Sequence, residues 1–362
     1  MVIRELGLLH FRNYDQLFAR FTDRLNVFLG RNGQGKTNLL EALYLTTHLE
    51  SFRTRKLQPL IETGQPLAQV QAVVLKCDRS YKARFELSRQ GKKVWLDEVT
   101  VPRVSSYIAL FFSLLFNPDH LFHFRQFPAE RRAALDRFLA FVDPAYLQAL
   151  KDMRVVLMQK NKLLKSGRGE GLPEWNHLFI EKGYAILEGR KRMVDQLQAR
   201  LRGLFGRLTG REEELTLAYR PSLEGTREDW ARALERVESR ERQAGHALIG
   251  PHRDEFRLAL EPLAGGRRED EQFSQGEFRG AYLALLFAMN AWLDAERGFR
   301  PVLILDDLLS ELDPAIQASL MEYLSALPNQ IFITTTHWTE GFRPAAAGQE
   351  ISLREISGGR IL

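Results

Sequence analysis

Residues 25–45 read LNVFLGRNGQGKTNLLEALYL. Leu25 to Leu29 is a short apolar strand candidate, and Leu39, Leu40, Ala42, Leu43 and Leu45 recur at helical spacing. Between them Gly30, Gly35, Lys36 and Thr37 complete the pattern G-x-x-x-x-G-K-[ST]. Glycines let backbone N–H groups curl around a phosphate, and the positive end of the following helix faces the anion. Lys36 can reach β- and γ-phosphates as a point charge, and the Thr37 hydroxyl suits Mg²⁺. A strand before and a helix after distinguish such a loop from an incidental Gly-rich turn. Gly30, Arg31, Asn32, Gly33, Gln34, Gly35, Lys36, Thr37 and Asn38 therefore form the candidate nucleotide site, with ATP and Mg²⁺ as the expected cofactors.

A second motif lies far along the chain. Leu303 to Asp307 (LILDD) ends a strand pattern with two acids. A carboxylate there can hold Mg²⁺ opposite Thr37, which makes Asp306 the metal-side candidate. Asp307 sits where a base or water-positioning acid is useful. The plainer reading is a pair of strand-end carboxylates capping a helix. Asp306 follows Lys36 by 270 residues, so one ATPase unit is split in sequence and has to be reassembled in space. PVLILDD and QIFITTT are continuous apolar or β-branched runs, as expected of central parallel strands buried on both faces. Ser274 and Gly276, in FSQGE, precede the helical run Phe278–Leu293. A Ser-x-Gly turn at a helix start is either a second anion-binding element or an ordinary Ser N-cap. Ser310-Glu311-Leu312-Asp313 and Thr334-Thr335-Thr336-His337 complete the set, where hydroxyls or an imidazole could sense a γ-phosphate. A helix cap and a strand end are their bland equivalents.

The chain has 362 residues, 51 basic and 46 acidic, for a net charge of +5, and 44% of its residues are hydrophobic. That composition excludes a largely disordered chain. The length suggests two domains, or one with a large insertion. The first hundred residues alternate strands and a helix, whereas Pro118 to Gln243 is Arg-, Leu-, Ala-, Glu- and Gln-rich with helical periodicity. The expected division is an ATPase lobe of residues 1–117 and 244–362, carrying an inserted α-helical lobe of residues 118–243. Between Tyr146 and Arg211 there are 14 basic and 6 acidic residues. Such a local excess fits a polyanionic partner or a solvated helical surface. Arg131, Arg132, Lys160, Lys162, Lys165 and Arg168, with Arg53, Arg55 and Lys56 as a second cluster, are the candidate DNA-phosphate contacts.

Other classes recede. The single cysteine, Cys77, excludes an internal disulfide and reads as a strand thiol. No secretory signal is recognisable, and no apolar run approaches the roughly 18–20 residues that span a bilayer. The longest candidate, Tyr107 to Phe116, reads as a buried strand. A cytoplasmic protein with no membrane partner is expected. His246, His252 and Asp254 match no zinc spacing, and no Ser-His-Asp or Cys-His arrangement stands out.

The order of motifs resembles the ABC-type ATPase heads of SMC-like DNA repair proteins, and more closely, over nearly the whole chain, the bacterial RecF family of recombination mediators. Phe11-Arg12-Asn13-Tyr14, NGQGKTNLLEALY and Ser51-Phe52-Arg53 carry the likeness in the first part. Pro118-Asp119, Pro128, Arg131-Arg132, Asp136, Gly250-Pro251-His252-Arg253-Asp254 and LDDLLSELD carry it further on, with Glu277 standing where the family usually has Gln. The resemblance implies an α/β fold, an ABC-type (SMC/RecF-like) P-loop ATPase head with an inserted helical lobe. It implies an ATP-dependent homodimer in which Ser274 and Gly276 of one subunit close on the γ-phosphate at the other's loop, with Asp313 among the nucleotide contacts. It further implies slow, DNA-modulated hydrolysis and binding of single- and double-stranded DNA at gaps and junctions. Partnership with RecR follows, with RecO and RecA in the pathway, in recombinational repair, replication restart and the SOS response. Another SMC-like head, nuclease-linked or structural, and a transporter ATPase subunit are the alternatives. The short insertion without sustained heptads speaks against a long-armed SMC, the large insertion against a transporter, and the FSQGE and SELD blocks against a small-molecule kinase.

Overall fold

A computed structural model describes residues 1–54, 56–167, 170–262, 266–310, 312–338 and 351–362. Arg55, Arg168 and Glu311 of the sequence-based expectations lie outside the described residues. The chain forms two units, one of residues 1–122, 206–211 and 282–362, the other of residues 123–205 and 212–281.

The first unit is built on two sheets. One is antiparallel, in the order Tyr14–Arg20, Val2–Phe11, Leu67–Lys76, Arg79–Ser88, Gly91–Leu96, Val99–Thr100. The other runs Arg360–Ile361, Ile351–Ser357, Leu25–Leu29, Ile331–Thr335, Val302–Leu305, Ser113–Phe116, and is parallel except at its two-residue edge. Leu25–Leu29, Ile331–Thr335 and Val302–Leu305 are buried almost throughout, which explains their unbroken apolar sequence. The helix Lys36–His48 is buried along nearly its whole length rather than on one stripe. A single apolar cluster joins it to both sheets, from Ile3 and Phe85 through Leu39 and Leu43 to Ile304 and Phe332.

Two local expectations change. Cys77 is exposed in a turn with φ 47°, beside Asp78 at 59°, between Leu67–Lys76 and Arg79–Ser88. The left-handed pair is what a two-residue hairpin of this twist demands, so the thiol is a turn residue and not a strand residue. Tyr107 lies on a short helix, Val104–Ile108, and only Ser113–Phe116 of the run to Phe116 is a strand.

The second unit packs the helices Pro128–Val142, Pro144–Ser166, Leu172–Leu201 and Arg227–Ala244 with a three-stranded antiparallel sheet. Its strand Glu214–Arg220 falls inside the stretch expected to be helical. That strand pairs with Glu255–Glu261, which keeps the residues after 244 in the second unit as far as 281, instead of returning them to the first. Among the described residues no helix is long and apolar enough to cross a membrane.

At the centre of the second unit is a buried ionic network. Arg190 donates to Asp254 at 2.7 Å, to Asp136 at 2.8 Å and to the Pro251 carbonyl at 2.7 Å. Tyr146 donates to Asp136 at 2.6 Å, Tyr219 donates to Asp254, and Arg132 reaches the Asp254 carbonyl at 2.6 Å. Asp136, Arg132 and the Gly250–Asp254 string are thus architectural. Arg190→Ala leaves the buried Asp254 and the partly buried Asp136 without their cation and is expected to destabilise the protein by about 3–5 kcal/mol in urea unfolding. The exposed Arg232, paired with Asp229, should be replaceable by alanine with little change in the urea midpoint.

Candidate nucleotide site

The phosphate loop leaves the strand Leu25–Leu29 and enters the helix Lys36–His48 through residues that tolerate no side chain at two points. Gly30 has φ 151°, and a Cβ there would run into the Ile356 carbonyl. Gly35, the helix N-cap at φ 112°, would place a Cβ 2.7 Å from the Asn13 amide nitrogen. The Lys36 ammonium is held over the loop by the carbonyls of Gly30 and of Arg31, the latter at 3.0 Å. Burial lowers its pKa, while Asp307 and Asp306 act in the opposite sense.

The loop is braced from outside its own sequence. Tyr14 donates to the Gly35 carbonyl at 3.0 Å and Asn13 to the Gln34 carbonyl at 3.2 Å, while Asn38 donates back to Asn13 at 2.8 Å. From the other end of the chain, the Gly359 N–H donates to the Gln34 carbonyl at 3.0 Å and that of Gly358 to the Gln34 side chain at 2.8 Å. Arg12 makes a two-pronged contact with the fully buried Glu41, at 2.8 and 2.7 Å, which Ser51 also joins. Phe11-Arg12-Asn13-Tyr14 and Ser51 therefore fix the loop and its helix. Glu41 is the hub that sequence reasoning passed over as one more helix residue.

Asp306 completes the site. It ends the strand Val302–Leu305 and is 3% exposed. Its Oδ1 accepts from Thr37 at 3.2 Å and from Thr334 at 2.6 Å, and its Oδ2 accepts from Asn117 at 2.8 Å. Thr334 also accepts the Asp307 N–H at 2.9 Å. Burial raises the Asp306 pKa against these three donors. Asp307 is half-buried and sits at φ 48°, a left-handed conformation that aspartate tolerates better than most residues. Asn117 was missed in the sequence. The available signal was a polar residue directly after the buried strand Ser113–Phe116, the same position Asp306 takes after its own strand.

Ser274 and Gly276 are exposed. The Glu277 N–H donates to Ser274 Oγ at 3.2 Å and the Ser274 N–H donates to the Glu277 carboxylate at 2.7 Å, so the pair caps the helix Gln275–Arg297 reciprocally. Arg268 holds Glu277 at 3.0 Å. Asp313 is the exposed N-cap of Pro314–Ala326, and its carbonyl accepts from Gln317 at 2.9 Å. Thr336 and His337 follow the end of Ile331–Thr335, the first half-buried and the second exposed.

The basic candidates divide. Arg131 is buried, pairs with Asp270 at 2.7 Å and donates to the Phe124, Arg125 and Phe256 carbonyls. Lys160 is wholly buried, 2.9 Å from Glu241 and over the ring of Phe179. Neither is available to a phosphate from solution, because the acid that makes each burial tolerable occupies its charge. Arg132 is partly buried and committed to the Asp254 carbonyl. Arg53 lies beside the phosphate loop, donating to Asn38 at 2.8 Å, 3.7 Å from Glu41. Lys56, Lys162 and Lys165 are exposed.

A phosphate loop, an acidic strand end beyond one interposed parallel strand and a capped, exposed Ser-x-Gly helix start define an ABC-type P-loop ATPase head of the SMC class. The family model described as "RecF/RecN/SMC N terminal domain" matches residues 2–355. The chain is 34% identical to the DNA replication and repair protein RecF of Geobacter sulfurreducens over 344 residues, 93% of each chain. It is 35% identical to that of Moorella thermoacetica over 363 residues, 99% of this chain and 95% of the other. A solved structure of the recombination mediator protein RecF with ATP superposes with a TM-score of 0.87 at 26% identity, covering 99% of this chain and 98% of that one. An SMC head bound to the C-winged helix domain of ScpA shares the fold, with a TM-score of 0.62 at 15% identity, covering 99% and 94%. The chain belongs to the RecF family.

The raised pKa of Asp306 carries a stability consequence. Its ionised form is less favourable in the folded than in the unfolded chain, so its contribution is full below the unfolded pKa and is lost as pH rises through the folded one. Without nucleotide, Asp306→Asn should melt at or above the wild type at neutral pH, the difference closing as pH falls through the carboxylate range. Scanning fluorimetry across pH checks this, and a variant melting well below wild type at neutral pH contradicts it.

Proposed function

We propose that this chain is an ATP-driven DNA clamp of replication and repair, active as a dimer that nucleotide holds together. The observation that carries the reading is the cluster of Lys36, Thr37, Asp306 and Thr334 at neighbouring strand ends, one half of a nucleotide site. Ser274 and Gly276, exposed at a helix start in another part of the chain, supply the other half from a second copy. Kinship with RecF solved with ATP supports ATP as the nucleotide. The oxygen-only pair of the Thr37 hydroxyl and the Asp306 carboxylate suits Mg²⁺, which would neutralise phosphate charge. The open N–H groups at the start of Lys36–His48 hold the phosphates, and Lys36 supplies the compensating charge. Asp307 orients the attacking water and takes its proton. Turnover is slow and responds to DNA, so ATP is glue and hydrolysis the release. Its work would lie at gaps and junctions in single- and double-stranded DNA, a reading that kinship with the RecF mediators supports. It would act there with RecR, alongside RecO and RecA, in recombinational repair, replication restart and the SOS response, and in the cytoplasm.

Light scattering tests the dimer directly. The wild type should double in mass with ATP, and Ser274→Arg should remain monomeric at saturating nucleotide, whereas a monomeric wild type under those conditions removes the mechanism.

The two sides of the pocket separate kinetically. Lys36→Met should lose nucleotide binding in a calorimetric titration. Asp307→Asn should bind ATP and dimerise but hydrolyse it at least about a hundredfold more slowly, the lower range for a positioned base. Normal turnover by Asp307→Asn would reassign the base.

A further inference from the structure

The helix Pro144–Ser166 of the second unit turns six exposed residues to one side: Lys151, Arg154, Val155, Met158, Lys162 and Lys165. Their spacing of three and four residues is that of a single helical face, and at 1.5 Å per residue it runs for about 21 Å. The face carries four positive charges and no fully exposed acid. Among the described residues, none of the four cations has an ion pair or a side-chain hydrogen bond. Three acids on this helix and on the helix packed against it are already engaged. Asp152 lies 3.7 Å from Lys182 and accepts from Gln148 at 2.7 Å. On the helix Arg227–Ala244, Glu241 is held by Lys160 at 2.9 Å and Glu238 by Arg242 at 2.7 Å.

A run of like charge left uncompensated, in a unit whose buried Arg131, Lys160 and Arg190 are each matched to acids, has a polyanion as its complement. A duplex presents one charge per about 1.7 Å of its axis, so a 21 Å face meets more phosphates than four cations neutralise. A protein partner suits it less, since lysine is depleted at protein interfaces and the apolar part amounts to two side chains. A groove of about 510 Å³ adjoins the C-terminal half of the face, lined by Met158, Asn161, Lys162, Lys165 and His246. It gives a sugar–phosphate segment a recess beside two ammonium groups.

We propose that this face, from Lys151 to Lys165, is the surface through which the inserted unit grips the DNA backbone, without base readout. The inference rests on the DNA-binding reading above, and it replaces Arg131 and Lys160 of the sequence-based set with Lys151 and Arg154. Val155 and Met158 lie between the two basic pairs, where they would pack against sugar edges.

Fluorescence anisotropy with a labelled gapped duplex, titrated with salt, tests it in the full-length protein. Two double variants, Lys151→Gln with Arg154→Gln and Lys162→Gln with Lys165→Gln, should each bind about tenfold more weakly at moderate salt. Each should flatten the slope of log affinity against log salt by about 2, close to 0.9 per lost phosphate contact. ATP affinity and melting temperature should not change. Lys191→Gln and Arg232→Gln, exposed but paired with Glu188 and Asp229, should keep the wild-type slope. Wild-type slopes in both double variants overturn the assignment while leaving the DNA-binding reading intact. A wild-type protein that binds no DNA overturns both.

Discussion

The buried carboxylate of Asp306 is the constraint on which the nucleotide site depends. Removed from water, it persists only because hydroxyl and amide donors surround it. Those donors come from three separate stretches of chain: Thr37 after one strand, Asn117 after a second and Thr334 near the end of a third. Their convergence requires correct strand register, with Leu305 opposite both Phe116 and Ile333 and Thr335 opposite Leu29. Because Ile331–Thr335 lies between the phosphate-loop strand and the acidic strand, Thr334 is the natural bridge between the two halves of the motif. Parallel pairing thus closes a separation of 270 residues and makes a large insertion compatible with one site.

The phosphate loop obeys the same logic on its other side. Its glycines permit the backbone path but do not impose it. The path is imposed by Asn13 and Tyr14 from the N-terminal hairpin and by Gly358 and Gly359 near the other end of the chain, all acting on Gln34 and Gly35. Glu41, buried under Arg12 and Ser51, ties the helix to that hairpin. A loop held in this way has less ordering left to do when a phosphate arrives, and preorganisation of that kind raises affinity without adding a contact.

What the sequence made legible was whatever local chemistry dictates. The phosphate loop needs glycine at strained angles, buried parallel strands need unbroken apolar runs, and the two acids stand where such a strand ends. These features read correctly as elements. Residues whose meaning depends on register did not. Asn117 and Glu41 look like any polar residue until the sheet and the hairpin are assembled, and the strand Glu214–Arg220 is disguised by the helical texture on both sides. Ser274 illustrates a further case, since the cap and the exposed turn are both present. The capping bonds with Glu277 explain the local geometry, while the exposure of Ser274 and Gly276 leaves the turn open to a second chain.

Charge was the least legible quantity, because counting along the chain does not measure charge in space. The basic excess between residues 146 and 211 includes Lys160 and Arg190, both buried and neutralised by Glu241, Asp136 and Asp254 from outside that stretch. Those cations hold the second unit together, and their loss would register as unfolding whatever ligand was assayed. Lys151, Arg154, Lys162 and Lys165 are of the other kind, solvated and unmatched, so their removal changes the field outside the protein and little within it. Adjacent turns of one helix therefore carry both kinds, with Lys160 facing inward between Met158 and Lys162. A loss of DNA binding on mutating a basic residue of this unit identifies a contact only where melting temperature and nucleotide affinity stay unchanged.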